Sequence, residues 1–410
     1  MLPKILKLAN YRRLYFAGAT SELGSFITDT ALMLFIFRIT NQQNSSLGYL
    51  KSTFLIFLVT GIIFGGPIGE RFNRKKVLIL CEVFRAPLVL LLATTTNPFF
   101  IVLLSGMIAF FTGIFRPSRQ ALMNELVPPE KMKAANGLFG STIAILHLLG
   151  PLVGAYAFSF FNGAKEILAF DLLTYVFGII LLLRINYSDK HIQKPEGNLL
   201  KELQNGIKFV QKRRDLKSIL LNSFVAGLSI GILIPLLLPF TIEFLGKGEK
   251  EYGILLGIFG LGGFLGGTLS EKFGKDIAPG KIACLTLLLE PFLFVIWINV
   301  HNWILSAIIL FFWGIVVFVR ITSQLNHVSE NVETKQLSNV HSMLELSFLL
   351  PNILGALLIG ITGGFLTTME FLIFSSVMFF ITTYPRLFLK EFQLLLNYKG
   401  QQVNRETYIE

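Results

Sequence analysis

Apolar stretches long enough to cross a bilayer recur twelve times along the chain. They lie near 14–39, 47–69, 77–96, 98–116, 134–161, 166–185, 217–242, 252–271, 281–299, 302–322, 340–366 and 369–389. A membrane-spanning helix needs about 20 mostly apolar residues, so the pattern predicts twelve transmembrane helices joined by short polar turns. An even number of crossings leaves both termini on one side. The first stretch follows Lys4, Lys7, Arg12 and Arg13 and runs from Leu14 to Ile39. A cleavable secretory signal has an apolar region of roughly 7–15 residues and a small-residue cleavage site. This stretch is longer and is read as a retained first helix with a cytoplasmic N-terminus.

Basic residues set the orientation. With the termini cytoplasmic, 30 of the 36 Lys and Arg fall on the cytoplasmic side. Four (Lys51, Lys165, Lys247 and Lys250) fall on the other, and Arg38 and Arg85 lie inside spans. One miscounted span inverts every later loop and destroys this asymmetry, which is what the positive-inside rule produces. Composition agrees: 53% of residues are hydrophobic and 15% charged, with a mean hydropathy of +0.65, where a soluble domain carries about 25% charged residues. The net charge of +11 therefore belongs to cytoplasmic loops. Membrane lipids are expected partners and nucleic acid is not. Cys81 and Cys284 both fall within apolar stretches, so no structural disulfide is expected.

The longest polar segment, 186–216, divides the chain. In it Leu199, Leu203, Ile207 and Val210 recur at spacings of four and three among Lys201, Lys208, Lys212, Arg213 and Arg214. That is the pattern of a basic amphipathic helix on the inner membrane surface. The organisation expected is an N-terminal half 1–185, a linker 186–216, a C-terminal half 217–389 and a cytoplasmic tail 390–410.

The halves repeat. Residues 65–74 (Gly-Gly-Pro-Ile-Gly-Glu-Arg-Phe-Asn-Arg) and 266–275 (Gly-Gly-Thr-Leu-Ser-Glu-Lys-Phe-Gly-Lys) share one pattern at an offset of 201. Glu130 and Asn136 recur as Glu333 and Asn339, and Cys81 as Cys284, at an offset of 203. Paired glycines let a neighbouring helix approach closely. The acidic and basic residues at the helix ends suit a latch to the other half. Asn73 and Gly274 are residue types that tolerate a left-handed turn.

These residues resemble motif A of the major facilitator superfamily, Gly-x-Leu-Ala-Asp-Arg-x-Gly-Arg-Lys, with Glu70 in place of Asp and Asn73 in place of Gly. Leu149 to Ala155 resembles the core of motif C, through Gly150, Pro151 and Gly154, and in that superfamily motif C accompanies antiport. Arg116 to Leu122, Glu125 to Pro128, Ala135-Asn136 and Gly206 to Val210 are similar to the subgroup holding the enterobactin exporter and the macrolide efflux proteins. The resemblance implies an all-α integral membrane protein with twelve transmembrane helices in two pseudo-symmetric six-helix bundles. It implies gating by Gly66, Glu70, Arg71 and Arg74 and by Gly267, Glu271, Lys272 and Lys275. A monomer in a bacterial inner membrane is the expected setting. Glycines concentrate in spans 2, 5, 8 and 11, which in the superfamily line the interface between halves, where small residues allow sliding.

A charge near the bilayer centre costs a few kcal/mol and usually faces a cavity. Glu22 and Asp29, seven apart in span 1, lie on nearly one helix face. They are candidates to bind a proton or a cationic group of a substrate, with Asp29 near mid-membrane. Glu82 and Arg85, one turn apart in span 3, have the spacing of an intrahelical ion pair. Asp171, Glu290 and Glu345 are further cavity candidates. Arg38 is placed to snorkel to the outer surface, and His147 could titrate near neutral pH.

No Gly-x-x-x-x-Gly-Lys-(Ser/Thr) occurs, so ATP-driven transport has no support. A proton gradient is the expected energy source, and no cofactor is expected. Each proton moved down about 100 mV supplies roughly 2.3 kcal/mol. The five histidines are scattered, with no His-x-x-x-His or Cys-x-x-Cys, which argues against a membrane-embedded enzyme and for no metal site. The reading is a secondary active transporter working by alternating access, a proton-coupled exporter of a small amphipathic molecule such as a siderophore or drug. A lipid or lysolipid flippase, or an importer of a siderophore or nutrient on the same fold, is the alternative.

Overall fold

The computed structural model describes residues 4–187, 208–273 and 277–397. Among them the secondary structure is helical throughout. Six long helices come first: α1 (Ala9–Ile39), α2 (Asn44–Arg71), α3 (Arg74–Thr94), α4 (Pro98–Leu126), α5 (Pro129–Phe161) and α6 (Lys165–Leu183). Six more follow: α7 (Arg214–Glu243), α8 (Glu249–Phe273), α9 (Pro279–Ile298), α10 (Trp303–Asn331), α11 (Thr334–Thr362) and α12 (Thr368–Thr383), with a short α13 (Lys390–Leu396) at the end. The expected amphipathic linker helix falls mostly on 188–207, outside the described residues, as does the tail from 398 onward.

The protein is an all-α integral membrane protein of twelve transmembrane helices in two six-helix bundles. Eleven of the helices qualify as spans by length and apolar composition alone. The exception is α1, 31 residues long, because Ser21, Glu22, Ser25, Thr28 and Asp29 form a polar stripe along one face at helical spacing. Elsewhere the outward side chains are apolar. Phe99, Phe160, Leu173 and Phe365 are among many large hydrophobics left exposed, as a surface facing lipid tails requires. Turns between helices are closed by local caps. Asn97 and Asn302 accept from backbone N–H groups that open α4 and α10, and Thr367 with Glu370 forms a reciprocal capping box on α12.

Of the described residues, those up to 187 together with Glu249–Ile254 form one compact unit, and those from 208 to 248 with 255–397 form the other. Packing within the two units follows one scheme. In the first, α1 packs on α5 and α6, α2 on α4, and α3 on α4 and α6. In the second, α7 packs on α11 and α12, α8 on α10, and α9 on α10 and α12.

The correspondence reaches individual backbone contacts. A methyl group at Gly61 would stand 2.1 Å from the Phe110 carbonyl oxygen; at Gly262, 2.0 Å from that of Phe311. Gly113 meets the Leu58 carbonyl as Gly314 meets that of Phe259, and Gly154 meets that of Ile27 as Gly355 meets that of Leu228. Every one of these partners is displaced by the same 201 residues. Glycine occupies these positions because backbone touches backbone there, and no side chain fits.

Four sequence expectations change. Helices α4, α5, α10 and α11 run 29, 33, 29 and 29 residues, well past the apolar stretches that mark them, so Arg116, Arg119 and Arg320 lie within helices and not in cytoplasmic loops. Of the glycine pairs in the repeated motif only the first members pack tightly. Gly65 meets Ile114 and Gly266 meets Ile315, whereas Gly66 has open space beside it and Gly267 has its nearest neighbour at 4.0 Å. The close approaches of Gly61, Gly65, Gly154, Gly262, Gly266 and Gly355 are all to a helix of the same unit. Asn73 does not take a left-handed turn: its φ is −54°, and its side chain caps α3 by accepting from the Lys76 N–H.

Candidate functional site

The polar stripe of α1 faces a cavity of about 290 Å³ inside the first unit. Glu22, Ser25, Thr28 and Asp29 enter it from α1, Lys51 from α2, Ser105, Thr112 and Arg116 from α4, His147 and Pro151 from α5, and Asp171 and Tyr175 from α6. Phe26, Leu32, Phe54, Leu58 and Ile108 supply its apolar walls. Polar groups converging on a concave apolar pocket are the usual composition of a small-molecule site.

Two ion pairs cross the cavity wall and tie α1 to its neighbours. Arg116 Nε and Nη2 donate to the two oxygens of Glu22 at 3.1 and 3.0 Å. This fork-to-fork geometry suits a guanidinium and a carboxylate. Lys51 Nζ donates to both oxygens of Asp29, at 2.9 and 3.2 Å. Seven residues separate Glu22 from Asp29, so the pairs stand about 10 Å apart along the helix axis.

Asp171 lies between them in height. Its oxygens accept from the hydroxyls of Tyr175 at 3.1 Å and Thr174 at 3.3 Å. The room for it comes from Gly24, where a methyl group would stand 2.1 Å from Asp171 Oδ1. Behind Tyr175, Arg85 Nη2 sits 2.8 Å from Glu82 Oε1, the intrahelical pair that the spacing predicts. The Arg85 guanidinium also lies over the rings of Tyr175 and Phe115. His147 packs on Phe26 with ring centres 4.3 Å apart. Gly150 and Gly154 seat α5 directly on Phe26 and Ile27 of α1, so the motif C-like stretch forms the back of this cavity.

Other candidates stand elsewhere. Glu290 is in the second unit, buried and paired with Arg320, whose Nη1 donates to Gln324. Near the start of α7, Asp215 accepts from Arg213 and meets His327 Nε2 at 3.2 Å. Glu345 is exposed. Arg38 donates to the backbone and side-chain oxygens of Asn162 and lies over Phe158. In the motif A-like segment, Arg74 donates to the carbonyls of Gly69 and Ala121 and pairs with Glu125, which also accepts from Tyr187. Arg71 is exposed. The side chains of Glu70, Glu271 and Lys272, and Lys275 as a whole, lie outside the described residues. Among the described residues no cluster of His, Cys, Asp and Glu suits a metal ion.

Sequence reasoning missed the cations of this site. The charge count sets Lys51 with the outer charges and Arg116 with the inner ones, because each sits near the end of an apolar run. The available signal was helical spacing: Arg116 and Arg119 flank Pro117-Ser118 one turn apart, as residues of a continuing helix would.

The family model of the Major Facilitator Superfamily matches residues 14–356. The chain is 24% identical over 345 residues to the uncharacterized MFS-type transporter YfmI of Bacillus subtilis (strain 168), covering 80% of this chain and 82% of that one. It is 25% identical over 283 residues to macrolide efflux protein A of Streptococcus pyogenes, covering 66% and 69%. Among solved structures, the nucleoside transporter NupG superposes with a TM-score of 0.74 at 13% identity, covering 95% of this chain and 100% of that one. Twelve helices in two repeated bundles, a charged cavity inside one of them and a family match over most of the length lead to one assignment: the chain belongs to the Major Facilitator Superfamily of membrane transporters.

Proposed function

We propose that this transporter is a proton-coupled exporter of a small amphipathic molecule, working by alternating access. The observation that carries the reading is the cavity of the first unit, where two carboxylates on one face of α1 are each held by a single cation against apolar walls. In such a site a proton on Asp29 releases Lys51, and a ligand that competes for either partner changes the cost of holding the charges within the membrane. Binding and protonation are thereby linked through the same groups, and linkage of this kind is reciprocal. The likeness to macrolide efflux protein A supports outward transport of a drug-sized amphipath. A siderophore is a second cargo of suitable size and polarity.

The test is flux into everted membrane vesicles containing the full chain, using labelled macrolide, siderophore and lysolipid with and without an acid lumen. The expected result is accumulation of the macrolide or the siderophore that needs the pH gradient. Asp29→Asn should lose the gradient dependence, and Glu166→Gln, an exposed change at the start of α6, should keep it. Accumulation independent of the gradient, or movement of lysolipid alone, overturns the reading.

A further inference from the structure

We infer that the inner end of α6 is a binding site for the headgroup of an acidic phospholipid, held by Arg13, Lys75, Lys76 and Arg184. The site stands apart from the cavity and does not depend on what the transporter carries.

Helix α6 ends between α1 and α3, both of which pack along it. Arg13 of α1 donates through Nη1 to the Arg184 carbonyl at 2.6 Å. Lys75 of α3 donates through Nζ to the carbonyls of Leu183 and Ile185 at 2.9 and 2.8 Å. Two cationic heads thus share three consecutive carbonyls, and the exposed Arg184 and Lys76 adjoin them in sequence. A helix C-terminus carries only about half a negative charge, far less than these cations bring. Among the described residues none of the four has a carboxylate partner. Glu125, which Tyr187 brings to this end, is already held by Arg74. Donors remain for a further acceptor. Arg13 uses Nη1 alone, on Asn10 and Arg184, and Lys75 uses two of its three N–H bonds. A phosphate suits them, since its oxygens accept charge-assisted hydrogen bonds from both kinds of cation.

The fold does not require this cluster. The second half, displaced by 201 to 203 residues, has Asp-Ile-Ala-Pro at 276–279 where the first has Lys75 and Lys76. Its arginine after α12, Arg386, is 4% exposed and donates inward to Ser218, whereas Arg184 is exposed. The positive-inside rule asks for cations on this side of the membrane, not for their convergence on one helix end. The adjoining surface suits acyl chains. Leu80 and Phe84 follow Lys76 at spacings of four on one face of α3, and Ile180 lies four residues before Arg184 on α6. With Leu183 these side chains are 51, 50, 44 and 58% exposed. Cations at the headgroup level beside an apolar lipid-facing stripe match both ends of a phospholipid, and a soluble anion would use only one of them.

The experiment uses the full chain, delipidated in detergent, and measures bound lipid by native mass spectrometry. The probes are dioleoyl phosphatidylglycerol, dioleoyl phosphatidylcholine with the same tails, and glycerol phosphate without tails. Phosphatidylglycerol should bind the parent chain at least tenfold more tightly than phosphatidylcholine. Lys76→Gln and Arg184→Gln should each weaken it about fivefold, and together they should abolish the preference. Lys131→Gln with Lys133→Gln, exposed changes at the start of α5, removes the same charge from the same side of the membrane and should leave the preference intact. Equal loss in the two double variants overturns the inference, because it reports the charge of the whole cytoplasmic face. Equal affinity of the parent chain for the two lipids also overturns it, and is read without any variant. Glycerol phosphate binding as tightly as phosphatidylglycerol would assign the cluster to a soluble anion and overturn the lipid site.

Discussion

Glu290 and Arg320 are both almost wholly buried, and each is the other's charge partner. Replacing one of them strands the other in an apolar bundle, and the loss expected is about 3–5 kcal/mol. Arg320→Met should therefore lower the midpoint of thermal unfolding sharply. The double change Glu290→Leu with Arg320→Met should recover most of the loss, since packed apolar groups replace the pair at little cost. A double variant no more stable than the single one would mean that the pair also holds a conformation through Gln324 and Ser223, which continue the network. The Asp29–Lys51 pair of the first unit differs in kind. Asp29 and Lys51 are partly exposed to the cavity, and their mutual attraction is correspondingly weaker and open to competition by a ligand.

At the scale of elements, the contacts that distinguish this fold are backbone to backbone. Helices α2 and α4 meet at Gly61, Gly65 and Gly113, and α8 and α10 meet at Gly262, Gly266 and Gly314. Overpacking a tight contact costs about 1–3 kcal/mol even where side chains can yield, and a carbonyl oxygen has less room to move. Gly61→Leu and Gly262→Leu should each reduce folded protein, measured as the monodisperse fraction on size-exclusion chromatography, and by similar amounts because the sites are equivalent. Gly66→Ala, which adds a methyl group into open space, should leave that fraction unchanged. If Gly66→Ala nonetheless slows transport, the second glycine of the motif is needed in a conformation other than this one. A drop in folded protein would instead show a packing role.

For the whole molecule, the decisive question is sidedness, and α1 decides it. Its polar stripe leaves it short of the apolar composition of the other eleven spans, yet every later loop changes side if it fails to cross. Single cysteines test this with an impermeant maleimide on intact cells. Gln42→Cys and Asn299→Cys should label from outside, and Lys131→Cys only after permeabilisation. Native Cys81 and Cys284 are buried and should contribute little background. Labelling of Lys131→Cys in intact cells would reverse the topology and with it the direction assigned to transport.

The sequence alone determined the number of spans, the orientation expected of them and the two-fold repeat. Those properties follow from hydropathy, loop charge and residue identity, each of which is local or periodic along the chain. It also marked Glu22, Asp29 and Asp171 as candidates, because a carboxylate in an apolar stretch needs no structure to be conspicuous. Only the tertiary structure decided which cation each carboxylate meets. Arg116 comes to Glu22 across 94 residues and Lys51 to Asp29 across 22, and nothing in the local pattern encodes such distances. It likewise separated Glu290, committed to Arg320 in the second unit, from the cavity. And it set the Arg119 guanidinium of α4 over the Phe139 ring of α5, a contact between helices that local spacing does not encode.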